Sequence, residues 1–176
     1  VGYTFRAGPA GSGYYINETA EDLAASRGCF AHRKSGICVD VCVGGDVPSR
    51  VWPGGIALAN ALCDKLECLP DFTGRHVLEL GSGTGLNAVI VLLLKASLVA
   101  TELPAAVENL AKSLEANLKN SDRATAPAMI VPLTWGRRLP SSIKCAEFDI
   151  IMAADCTYLG AMLQPLLITL LQAASR

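Results

Sequence analysis

Residues 79–86 read Glu-Leu-Gly-Ser-Gly-Thr-Gly-Leu, with glycines at 81, 83 and 85 and an acid two places ahead of the first. Glycines spaced in this way let a backbone turn tightly and approach a ligand closely. Three familiar uses of such a loop fail on spacing. A dinucleotide fingerprint needs G-x-G-x-x-G, and its third position here is Leu86. A phosphate-binding P-loop needs a second glycine followed by lysine, where this chain has Leu86 and Asn87. A nucleophile elbow needs a glycine two places either side of its serine, but Ser82 is flanked there by Leu80 and Thr84.

What remains is E-x-G-x-G-x-G, with Glu102 following Gly83 at the distance where an acid can accept both hydroxyls of a ribose. The loop holds no basic residue to meet phosphates, and Glu79 would repel one while welcoming an amino group or another cation. The pattern suits an adenosine whose partner is not a pyrophosphate. S-adenosylmethionine, with its adenosine, α-amino group and sulfonium, has that chemistry. Glu79, Gly81, Ser82, Gly83 and Glu102 are the candidate residues for holding it.

These residues need strands to present them. From Trp52 onward, "HVLELG", "LVATEL", "AMIVPLTW" and "EFDIIMAAD" read as four strands. "GGIALANALCDKL", "GLNAVIVLLLKA", "PAAVENLAKSLEANLKN" and "LGAMLQPLLITLLQAA" read as helices, with Pro104 in a first turn and the second helix apolar nearly all round. Alternation of this kind calls for parallel strands joined by helical crossovers, an α/β doubly wound, mostly parallel sheet. Such sheets bind ligands beyond the carboxyl ends of their strands. The strand ends are Glu79–Gly85, Glu102, Trp135 and Asp155, and one crevice should gather them. Residues 51–176 form this domain. Residues 1–50 are less regular. "YTF", "GYYIN" and "ICVDVCV" suggest strands and "GGD" a turn, so a small β-rich N-terminal extension is expected.

The chain has 176 residues, 51% hydrophobic and 18% charged, with a formal net charge of −1. That bounds a single domain with a real core and gives no basic field for nucleic acid or an anionic membrane. The longest charge-free apolar window near the middle ends at Lys95, and the run Leu159–Ala174 is broken by Gln164, Pro165 and Gln172. Both fall short of the ~18–20 residues of a membrane span. No secretory signal is visible, although a chain starting at Val1 leaves the question of a targeting segment open. Seven cysteines, without framework spacing, fit a reducing compartment, so the cytoplasm is expected, with the nucleus as the alternative. Cys29, His32, Cys38 and Cys42 match no zinc spacing. Cys38 and Cys42 alternate with Ile37, Val39, Val41 and Val43, as apolar thiols in a strand would, and no metal is expected. Cys63 and Cys68 are expected to pack on the first helix.

The segments "VWPGGIALANAL", "GRHVLELGSGTGL", "ATELPAAVENL", "PLTWG" and "FDIIMAADCTYL" occur in this order. Together they resemble the methyltransferase-like 21 group of seven-strand, S-adenosylmethionine-dependent protein-lysine methyltransferases, over residues 51 to about 172. The glycine motif is specific only to the wider superfamily, whereas "LTWG" followed by "AADxxYL" is characteristic of this group. The "WPGG" piece is also similar to a related methyltransferase of an electron-transfer flavoprotein subunit. The resemblance implies a class I, Rossmann-like fold with S-adenosylmethionine as cofactor and a protein lysine as substrate. It places Trp52 at the cofactor's edge, Gly81 and Gly83 along its methionine part, and Glu102, where the family usually has Asp, on its ribose. Trp135 falls beside the adenine and Ala154 precedes a D-x-x-Y motif, here Asp155 and Tyr158, at the substrate lysine. Asp155 is thus expected to hold the amine and relay its proton, and Tyr158 to orient it. Plainer roles remain open: Trp52 and Trp135 as core residues, Asp155 or Tyr158 as caps of the last helix.

Two other functions stay in view. One is transfer to another acceptor, a protein arginine or histidine or a small molecule. The other is a binding protein that keeps the fold without the activity. The family fold has three strands more than are visible here, so the chain reads as truncated after its fourth core strand and the helix that follows. Residues Phe148–Ala154 would then form an apolar sheet edge calling for a partner to cover it.

Overall fold

The computed structural model describes residues 3–8, 11–16, 27–42, 50–119, 121 and 127–174. Two antiparallel hairpins come first. Strand β1 (Tyr3–Gly8) pairs with β2 (Gly11–Ile16), and β3 (Arg27–His32) with β4 (Ile37–Cys42). The β3 strand is not legible in the sequence. The "GGD" turn and Val43 lie outside the described residues. The remainder runs α1 (Pro53–Asp64), β5 (His76–Leu80), α2 (Leu86–Leu93), β6 (Ser97–Glu102), α3 (Val107–Leu118), β7 (Ala128–Pro132), α4 (Ser141–Lys144), β8 (Ile150–Met152) and α5 (Gly160–Ala174).

Strands β5 to β8 form one parallel sheet in the order β7-β6-β5-β8. The chain moves outward from β5 to β6 to β7, then returns to the other side of β5 for β8. This is the reversal of direction that opens a crevice at the carboxyl ends of the central strands. Val77–Leu80 and Leu98–Glu102 are buried, as expected of parallel strands covered on both faces. Val77, Leu98 and Ala100 pack toward one core with α1, α2 and α3. Leu78, Leu80 and Val99 pack toward the other, with Ile143 of α4 and Leu166 of α5. Leu86 through Leu92 are all buried, so α2 is enclosed as its uniformly apolar sequence suggests.

The second hairpin belongs to the first of these cores. Ile37, Val39 and Val41 turn inward with α2, and the Asn117 amide of α3 accepts from Asp40 N–H at 2.7 Å and donates to Asp40 C=O at 2.9 Å. The opposite face of β4 carries Cys38 and Asp40 outward. There Cys38 is joined to Cys29 by a disulfide, where the sequence suggests free apolar thiols.

Other details also differ from sequence expectation. Pro104 lies in a turn ahead of α3, which starts at Val107, because its N–H-less residue is accommodated before the helix rather than within it. Cys68 is exposed beyond the end of α1, while Cys63 is buried. Strand β7 ends at Pro132, three residues before Trp135, and β8 is only three residues long. Strand β8 is the edge next to β5 among the described residues, and its brevity limits the exposed hydrogen-bonding groups. Pro165 sits inside α5, where Thr169 Oγ1 donates to Pro165 C=O and accepts from Gly136 N–H, tying the helix to the turn after Trp135. No helix among the described residues is long and apolar enough to cross a membrane.

Candidate functional site

The chain leaves β5 through a loop that only glycine can build easily. Gly81, Gly83 and Gly85 have φ of 71°, 53° and 82°, in the left-handed region that costs other residues strain. The loop is pinned on several sides. Ser82 N–H donates to Thr101 C=O at 2.9 Å, and Gly85 N–H to Ser82 C=O at 2.8 Å. Ser113 Oγ donates to Thr84 C=O at 2.7 Å. Glu102, at the end of β6, braces the same loop. Its Oε2 accepts from Gly83 N–H at 2.8 Å and its Oε1 from Leu103 N–H at 2.7 Å.

Around this loop lie two cavities beyond the carboxyl ends of the strands. One, of about 110 Å³, is lined by Gly81, Gly83, Glu102, Leu133, Trp135 and Tyr158 among others. The second, of about 50 Å³, is lined by Glu79, Ser82 and Asn87. They share Arg50, Trp52, Gly81, Gly83, Ala154 and Asp155, so all ten sequence-derived candidates border one crevice. The Trp135 indole lies close over the loop, since a Cβ on Gly81 would stand 3.0 Å from Trp135 Cζ2 and 3.2 Å from Cys156 Sγ. Trp52 stacks on Tyr158 with ring centroids 5.9 Å apart and planes 11° off parallel. A larger groove, of about 320 Å³ and lined by Leu62, Lys65, Phe72 and Leu94, adjoins the other end of β5 and holds none of these residues.

Three buried side-chain oxygens on residues that line the smaller cavity, Glu79 Oε2, Ser82 Oγ and Asn87 Oδ1, lack a partner of good hydrogen-bond geometry, although the Ser82 hydroxyl is near enough to Glu79 to favour its charged form. Buried polar groups are normally satisfied, so these oxygens could accept from or donate to a polar ligand in that cavity. Burial pushes the Glu79 carboxyl up to about 7, against a lowering by the Ser82 hydroxyl and with a smaller push from the charge of Glu102. An ammonium group is the partner that would favour its charged form. Acceptor oxygens from Glu79 and Asn87, an acid placed for a ribose, and an indole face beside an open cavity fit the amino, ribosyl and adenine parts of S-adenosylmethionine.

Asp155 and Cys156 show different environments. Asp155 has φ of 55°, and its Oδ2 accepts from Gly55 N–H at 2.8 Å at the start of α1, not from the closing helix. Burial, then the charges of Glu79 and Glu102, pushes the Cys156 thiol up to about 12, which keeps it protonated and unreactive. Burial also raises the Tyr158 phenol. Among lining residues that the sequence does not single out are Arg50, Leu133 and Met162. Asn87 had a signal, as the single polar side chain in the apolar run of α2.

A model of the lysine methyltransferase family matches residues 34–176. The match begins inside the second hairpin, which shares the core of α2. The chain is 38% identical to mouse protein N-lysine methyltransferase METTL21A over 70% of its own length and 54% of the relative's. It is 31% identical to mouse EEF1A lysine methyltransferase 3 over 83% of its own length and 59% of the relative's. It thus spans about half the length of the curated relatives it matches. Among solved structures, a Pyrococcus horikoshii protein described as a candidate RNA methyltransferase superposes with a TM-score of 0.53 at 19% identity, covering 77% of this chain and 63% of that one. That likeness concerns the fold.

Proposed function

The chain belongs to the lysine methyltransferase family, and from that premise we propose that it binds S-adenosylmethionine in the strand-end crevice and methylates the side-chain amine of a lysine in a protein substrate. The observation that supports the reading is that Glu79, Ser82 and Asn87, which line one cavity, each carry a buried side-chain oxygen without a partner of good hydrogen-bond geometry. Glu79 and Asn87 take the amino-acid end, with Ser82 beside them. Gly81 and Gly83 leave room for the ligand's spine, and Glu102 meets the ribose. Trp135 and Leu133 face the adenine. When bound, S-adenosylmethionine supplies a methyl group on a positively charged sulfur. The protein's share of the work is to align the nucleophile and to desolvate it.

Lysine is a poor nucleophile until it loses a proton, its free pKa being ~10.4. Trp52 and Tyr158, stacked on each other and both lining the crevice, offer apolar surface beside which partial burial lowers that value. The relatives named for lysine methylation favour the same acceptor.

The binding half of the proposal is tested by titrating the protein with S-adenosylhomocysteine in a calorimeter. Saturable one-to-one binding is expected, and its absence in folded protein would exclude the cofactor. The pH dependence is specific. Glu79 is half protonated near pH 7 in the unliganded protein, whereas an ammonium beside it needs the carboxylate. Binding therefore releases a proton, and affinity falls as pH drops through 7. The expected loss between pH ~8 and ~6 is about tenfold, and Glu79→Gln removes most of that slope. A flat profile in the wild type would show that Glu79 does not meet the ligand's amine.

A further inference from the structure

The D-x-x-Y and W-P-G-G segments lie about a hundred residues apart in sequence, and the structure shows them gripping each other. Helix α1 begins at Pro53, directly after Trp52. Trp52 itself provides no side-chain cap, and the first turn holds no acidic residue. The amides at this helix start need an acceptor, and the positive end of the helix dipole favours an anion. Asp155 supplies both. Its Oδ2 accepts from Gly55 N–H at 2.8 Å. A Cβ on Gly54 would stand 2.7 Å from each carboxylate oxygen, so the carboxylate rests directly against the backbone of Gly54. Three residues on, Tyr158 stacks on Trp52.

We propose that Asp155 is a positioning residue whose carboxylate clamps the start of α1, so that Trp52 is held against Tyr158 as the roof of the crevice. This rests on the crevice being the S-adenosylmethionine site, but the clamp itself is a property of the unliganded protein. Two features of the sequence acquire a reason. Gly54 is required because any side chain there would displace the carboxylate. The left-handed Asp155, strained for a residue with a Cβ, is the conformation that aims the carboxylate back at α1. Asp155 then serves the reaction through α1 and Trp52, not by touching the amine. Trp52 lines both cavities, so loss of the clamp loosens cofactor binding as well as the substrate channel.

Four variants test this: Asp155→Ala, Asp155→Asn, Gly54→Ala and the double variant Gly54→Ala/Asp155→Ala. Two readouts serve. Near-UV circular dichroism reports the Trp52–Tyr158 stack without ligand, with Trp52→Phe as the reference for its contribution. Calorimetry reports affinity for S-adenosylhomocysteine. Asp155→Ala and Gly54→Ala should each lose the stack signal and weaken binding about tenfold, the scale of one hydrogen bond to a charged acceptor. Asp155→Asn keeps an oxygen for Gly55 N–H and should retain the stack signal and weaken binding less than about threefold. The double variant should be no worse than either single one, because both break the same clamp. An intact stack signal in Asp155→Ala, equal losses in Asn and Ala variants, or additive losses in the double variant would each overturn the proposal. If no form binds S-adenosylhomocysteine while the stack signal follows the expected order, the clamp stands and the cofactor reading falls.

Discussion

Glu102→Ala should weaken S-adenosylhomocysteine binding by about a hundredfold or more, while leaving a folded protein. The carboxylate accepts from two backbone amides, Gly83 N–H and Leu103 N–H, at 2.8 and 2.7 Å. Charge-assisted bonds of this length are among the stronger ones. Their loss leaves two amides of the crevice wall without acceptors and frees the loop that shapes the binding surface. In the proposed reading the same side chain also meets the ribose, so the variant would remove a ligand contact and loop geometry together. Glu102→Gln, which keeps one acceptor oxygen, should lose distinctly less. Calorimetry at a pH above ~7, where Glu79 is ionised, keeps the two acids separable. Binding within about threefold of wild type would show that Glu102 neither shapes the loop nor meets the ligand.

The largest effect on stability is expected at Gly85. Its φ is 82°, and a Cβ would stand 2.8 Å from Leu114 Cδ1 and 3.0 Å from Leu110 Cδ1. Both leucines are buried in the core between α2 and α3, with Leu110 fully enclosed. A β-branched residue adds backbone strain to overpacking, so Gly85→Val should cost about 4 kcal/mol. For a domain of this size that corresponds to a fall in the thermal midpoint of roughly 10 °C, readable by circular dichroism. A shift below about 3 °C would mean that the helix start relaxes freely, contrary to the close packing seen around Gly85. Gly36, also left-handed at φ 68° but with open space around it, is the natural comparison.

The parts of the fold that sequence made legible are those governed by local pattern. Strands β5 and β6 are apolar runs of strand length, α3 has an amphipathic period, and the glycine loop between β5 and α2 carries its own spacing. Glu102 ends β6 and Trp135 follows β7 by three residues, so both fall at or just beyond the carboxyl ends of strands, where a doubly wound sheet places its ligands. What stayed hidden depends on contacts distant in sequence. Strand β3 has no apolar alternation of its own, and its hairpin is tied to the domain through Asn117 and Asp40, 77 residues apart. The disulfide of Cys29 and Cys38 follows from the outward face of that hairpin, which a count of cysteines does not reveal. Asp155 was visible as an acid ending an apolar run. Its partner at Gly55, 100 residues away, was not, because a helix N-terminus accepts its anion from any element that reaches it.

The most direct test of the account is methyl transfer itself. The purified protein is incubated with S-adenosylmethionine labelled on the methyl group and a panel of cell proteins, with the Glu102→Ala variant as control. The modified proteins are then hydrolysed and the labelled amino acid identified. Label in Nε-methyllysine, well above the control, is the expected result. Label confined to methylarginine or methylhistidine, or none above the control from protein that binds S-adenosylhomocysteine, would contradict it.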